Sequence, residues 1–122
     1  LDMGDKFARL NGAAREDIML KANAIYARDI AKQYGCAMFY MSQLSAEAEG
    51  KVILNQSMME GSKTGKASEA DLMLLIAKNP AISEDDTVED PMRHINITKN
   101  KLTGWHGKVT CMLDGRIARY GV

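Results

Sequence analysis

Residues 96–107 read NITKNKLTGWHG, and this stretch decides how the chain is understood. Its first half alternates as a strand does, and its second half breaks at Thr103-Gly104 and again at Gly107. Side chains along a pleated strand point the same way at every second residue, so Ile95, Ile97, Lys99 and Lys101 are expected to share one face. Two lysines thus extend an apolar row. At roughly 7 Å apart they repel by about 2–3 kcal/mol at an effective dielectric of about 20, and by well under about 1 kcal/mol in water. A bound anion relieves that repulsion. So does plain solvation of a hairpin end, the less specific reading.

The chain outside this stretch sets the class. At 122 residues it has the size of one domain and can bury a core. Sixteen basic and sixteen acidic residues leave no net charge, which excludes a protein that coats nucleic acid by charge alone. The distribution is uneven, however. Five carboxylates fall between Glu84 and Asp90, whereas Arg93, Lys99, Lys101, Lys108, Arg116 and Arg119 face only Asp114 in the C-terminal third. No apolar run reaches membrane length and no leader pattern opens the chain, so a soluble, cytoplasmic protein of a bacterium or a phage-infected cell is expected. Cys36 and Cys111 lie far apart in apolar runs without metal-ligand spacing, and buried free thiols are expected.

In chain order, a helix is predicted over Ala13–Tyr34, with Ile18, Ala22, Ile25 and Tyr26 as its buried stripe and Gly35 ending it. Cys36 to Met41, CAMFYM, suits a strand covered on both faces, as in a parallel sheet. It runs into Ser42-Gln43, and polar residues just past such a strand are where open α/β sheets bind ligands. Ser45 to Ser68 is polar and small, and connections of that length tend to be functional. GSKTGK within it is not a phosphate-binding P-loop: Ala67 follows Lys66, and the G-x-x-x-x-G-K-[ST] spacing is absent. Asp71 to Lys78 reads as a second buried strand, stopped at Asn79-Pro80. An acidic surface loop from Glu84 to Asp90 leads to the strand of the opening stretch. A return strand, Lys108 to Leu113, a tight turn at Asp114-Gly115 and a last strand, Arg116 to Tyr120, complete a meander.

Taken together, these pieces resemble the second half of the RecA-like ATPase core of DnaB-type hexameric replicative helicases, phage helicases and primase-helicases in particular. Leu1-Asp2 is similar to the end of the Walker B strand, and the strand finishing in Ser42-Gln43 to the family's third motif. Ser45 to Lys66 and GSKTGKASEAD resemble the DNA-binding loop and fourth motif, and KNKLTGWHG the basic hairpin that reaches a neighbour's nucleotide. The fold this implies is α/β: a partial P-loop NTPase core, mainly parallel sheet flanked by helices, with a C-terminal antiparallel meander. Residues 1–122 would form the C-terminal portion of one such ATPase domain, its P-loop half lying upstream.

The resemblance also implies roles. Asp2 would help hold the Mg2+ that bridges the phosphates of ATP or another NTP. Gln43 would sense the γ-phosphate or the attacking water, an amide being both donor and acceptor. Lys99 and Lys101 would act across a subunit boundary on charge developing in phosphoryl transfer. Lys51, Lys63 and Lys66, with the amides of Gly61 and Gly65, would contact single-stranded DNA. Trp105 and His106 would pack on a neighbour, in a ring of six identical subunits, with a primase as a further candidate partner. The family commonly has arginine where Lys101 stands, and lysine lacks its two-pronged planar donor; Arg93 is a second candidate for that role. Without P-loop amides and lysine these residues alone are expected to hydrolyse no ATP. The competing readings are a catalytically inactive RecA-like binding or assembly module and a fragment of a RecA-like recombinase.

Overall fold

The computed structural model describes residues 16–60, 65–80 and 90–121. They divide into two compact units, Leu1–Glu47 with Gln56–Ala70 and Ala48–Asn55 with Asp71–Val122. Asp2, Gly61, Lys63, the start of the expected helix and most of the acidic loop lie outside the described residues.

The first unit is built on helix α1, Glu16–Tyr34. Gly35, at φ 60°, ends it, and Cys36 N donates to Ala31 O at 3.0 Å, the six-to-one bond of a glycine C-cap. The buried stripe is Leu20, Ala24 and Ala27, not the expected one: Ile18, Ala22, Ile25 and Tyr26 are exposed. Both sets recur at helical spacing, and packing chooses between them. The small Ala24 and Ala27 let the short helix α2, Gly65–Glu69, come close, and Arg28 fastens it by donating to Glu69 O at 2.7 Å. The long connection is therefore structured, with single-turn 3₁₀ helices at Ala46–Ala48 and Gln56–Met58 as well as α2.

Cys36 to Met41 corrects an expectation. The run belongs to no sheet among the described residues, and Phe39 and Met41 are 75 % and 58 % exposed. An apolar run signals burial, but a strand needs neighbours to receive its backbone groups, and the sheet lies elsewhere in sequence. Cys36, just past the helix cap, is exposed rather than buried; Cys111 is buried, and both are free.

The second unit is a four-stranded sheet in the order β1-β2-β3-β4, with β1 Leu72–Lys78, β2 Met92–Asn100, β3 Gly107–Asp114 and β4 Arg119–Gly121. Every pairing is antiparallel. The expected meander is present, whereas the mainly parallel sheet is not what the described residues form. Strands that follow one another and pair directly need no crossover helix. For the same reason β1 is not covered on both faces: Met73, Leu75 and Ala77 are buried while Leu72, Leu74 and Ile76 are exposed. The last turn is longer than expected and β4 shorter. Asp114 accepts Arg116 N at 3.1 Å and grips its guanidinium, and Ala118 takes a left-handed φ of 50° before β4 begins.

Candidate functional site

In β2 the register holds the main surprise. Leu74 pairs with Ile97 and Met73 with Lys99, so Thr98 is an extra residue, a bulge. Residues directly opposite in an antiparallel pair share a face. Ile95 and Ile97 therefore share the face of Ile76 and Leu74, whereas Lys99 shares that of Met73. The predicted row of Ile95, Ile97, Lys99 and Lys101 does not form, because one inserted residue inverts the alternation beyond it.

Lys101 lies past the strand, in the turn. Its backbone N donates to Asp71 O at 2.9 Å, and its ammonium pairs with Asp71 Oδ1 at 3.3 Å. The two side chains are 46 % and 57 % exposed, so the pair contributes at most about 1 kcal/mol. Lys101 can exchange Asp71 for another anion at little cost.

The tip itself is tightly wound. Asn100 Oδ1 accepts Leu102 N at 3.1 Å and Thr103 N at 3.2 Å, and its Nδ2 donates to Thr103 Oγ1 at 2.7 Å. Gly104, at φ 75°, turns the chain and donates to Asn100 O at 2.9 Å. The Trp105 indole lies over Gly107, where a Cβ would meet Cζ2 at 2.6 Å. Trp105 remains 52 % exposed and His106 is exposed, so both stand at the surface of the tip. Asn100 escaped the sequence reading, although asparagine three residues before Thr103-Gly104 is a recognisable turn signal.

Lys51 belongs to the same unit. Gly50, at φ 70°, closes a turn in which Lys51 N donates to Ala48 O at 3.1 Å, and Lys51 is exposed. The following residues meet Asn96 of β2, which accepts Leu54 N at 3.2 Å and donates to Val52 O at 3.0 Å.

At the other end of β2, Arg93 is 8 % exposed and donates to the carbonyls of Asp90 and Met92. That inward role sets it apart from a surface finger. Asn79 donates to Asp90 Oδ2 at 2.8 Å, and its carbonyl oxygen meets His94 Nε2 at 2.8 Å. An amide oxygen only accepts, so the His94 proton there is on Nε2, and in the neutral ring Nδ1 accepts from Thr110 at 3.2 Å. The Asn79 amide, with the Met92 backbone N–H and the nearby Arg93 and His94, holds the Asp90 carboxyl below its ordinary range.

Gln43, Gly65 and Lys66 belong to the first unit. Leu44 bridges Met59, Ser45 N donates to Met58 O at 2.7 Å, and Glu60 N donates to Gln43 O at 3.2 Å. Gln43 itself is exposed. Lys66 is only 4 % exposed and donates to Ser42 Oγ at 2.7 Å. Residues 61–64 are thus flanked on both sides by groups tied to Ser42-Gln43. The expected DNA-contacting residues are divided, with Lys51 in one unit and Gly65 and Lys66 in the other. Among the described residues no three His, Cys, Asp or Glu side chains gather to hold a metal; Asp2, the expected magnesium ligand, lies outside them.

The class these elements define is an α/β protein whose sheet is an antiparallel meander ending in a basic hairpin. No protein-family model matches the chain, and no curated protein matches it in sequence. Among solved structures it is similar to the ATPase domain of a DnaB-type helicase, with a TM-score of 0.72 at 16 % identity over 93 % of this chain. At that identity the likeness shows a shared fold. The chain spans 39 % of the length of that structure's chain.

Proposed function

We propose that this chain is part of the RecA-like core of an NTP-driven, DnaB-type DNA helicase and that it works in a hexameric ring. What supports the reading is that motifs met in the helicase order fall on a fold shared, over 93 % of the chain, with an ATPase domain. Residues 1–122 are then the C-terminal portion of one ATPase domain.

In this reading Gln43 stands exposed beside the γ-phosphate, donating to it or accepting from the attacking water. Lys101 leaves Asp71 for the neighbouring subunit's phosphates, with Lys99 assisting from the bulged end of β2. Trp105 and His106 seat the tip on that neighbour. Mg2+, with Asp2 among its ligands, supplies neutralisation of the phosphate charge when bound. Lys51 and Lys63 meet single-stranded DNA, assisted by backbone amides at Gly61 and Gly65. Lys66 joins them only by giving up Ser42; otherwise it steadies the sensor strand end.

The test is hydrolysis by the full-length protein. Lys101→Ala is expected to abolish DNA-stimulated turnover, about 10²-fold or more by the scale of lost transition-state donors, with nucleotide affinity changed only a few-fold. Unchanged turnover removes Lys101 from the trans role. Replacing Lys51 and Lys63 together by alanine is expected to flatten the salt dependence of single-strand binding, and an unaltered slope removes the loop from DNA contact.

A further inference from the structure

Asn96 sits in mid-β2, 4 % exposed, and its carboxamide offers one acceptor and one donor to alternate backbone groups of an extended segment. Oδ1 takes the Leu54 N–H at 3.2 Å, and Nδ2 gives to Val52 O at 3.0 Å. Nδ2 also lies 3.5 Å from Leu75 O and 3.4 Å from His94 O, which keeps the amide anchored to the sheet. A single side chain thus imitates a neighbouring strand. Leu54, 4 % exposed, is an apolar anchor within the same segment, and the Gly50 turn fixes its other side. Lys51 stands exposed between turn and pin.

We propose that Asn96 is a positioning residue that presents Lys51 to a phosphate of single-stranded DNA. It fixes the Lys51 segment to β2, the strand that carries Lys99 and leads into Lys101. The inference rests on the DNA-contacting role proposed for Lys51. A lysine on an ordered backbone loses less freedom on binding than one on a loose loop, so the pin strengthens the contact without touching DNA. It also places the DNA contact and the basic hairpin on one compact unit, so that strand occupancy is felt at Lys101.

The chemistry of the pin limits what can replace it. Aspartate keeps an acceptor for Leu54 N but has nothing to give Val52 O, and leucine leaves both backbone groups without this partner.

The experiment is binding of the full-length protein to oligo-dT across a salt series. Lys51→Ala is expected to lower the slope of log affinity against log salt by about 0.7 per subunit engaged. Asn96→Leu is expected to produce the same loss, and Lys51→Ala to add nothing in that background, while nucleotide affinity and ring assembly stay unchanged. Asn96→Asp should fall between. If Lys51→Ala lowers the slope but Asn96→Leu does not, or if the two losses add in full, the positioning role is overturned. If Lys51→Ala alone leaves the slope intact, the DNA role on which the inference rests has failed instead. Should Asn96→Leu not fold, hydrogen exchange of the Leu54 amide in the natural protein decides. Protection supports the pin, and exchange at the rate of an unstructured peptide overturns it.

Discussion

Asn100 holds the hairpin tip through both ends of its amide, and Asn100→Ala is expected to cost about 1–3 kcal/mol, since it leaves the Leu102 and Thr103 amides without that acceptor. Urea unfolding measures the loss. Gly107→Ala drives a methyl into the indole, so the Trp105 emission should move while the sheet's circular dichroism holds. Asp90 gives a pH dependence with a definite sign. Its folded carboxyl lies below the unfolded value of about 3.9, so its contribution is present above about pH 4 and is lost as pH falls through the folded pKa. Asp90→Asn should therefore be less stable than the natural chain near neutrality and converge with it in acid, in unfolding curves taken across that range. At this scale the sequence showed which groups carry charge and where the chain turns. It did not show Asn96, Asn79 or Asn100 at work, because a buried amide is defined by backbone groups distant in sequence.

Among the elements, β1 to β3 were legible because alternation and the Asn79-Pro80, Thr103-Gly104 and Asp114-Gly115 breaks are local chemistry. Two features were not. The choice of α1 stripe depends on α2, since Ala24 and Ala27 serve the core only because a helix arrives against them. The Thr98 bulge depends on how many residues β1 sets against β2, which no single strand records. Deleting Thr98 removes the extra residue and leaves Lys99 opposite Met73, so DNA-stimulated hydrolysis of the full-length protein should fall less than it does in Lys99→Ala. Equal losses would mean that the bulge itself, rather than the side the lysine faces, is what the hairpin requires. Lys66→Met tests the other unit. Losing the charged bond to Ser42 is expected to cost about 1–3 kcal/mol, read as a lower unfolding midpoint.

The whole chain is neutral, yet its functional candidates are cationic and concentrated toward one end of the sequence, a pattern suited to local phosphate contact rather than general adhesion to nucleic acid. Among the described residues no helix is long and apolar enough to cross a membrane. One sheet face leaves Leu72, Leu74, Ile76 and Val109 exposed, and apolar area of this kind drives association. The 122 residues prepared by themselves are expected to self-associate, and Leu74→Lys with Ile76→Lys to reduce that, by light scattering. The two sulfur atoms of the cysteines differ in a way that has practical use. Cys36 meets solvent while Cys111 is enclosed, so a maleimide dye should attach at one place, just beyond α1 and upstream of Gln43. A fluorophore there would report on the sensor strand through each turnover, with no engineered residue needed.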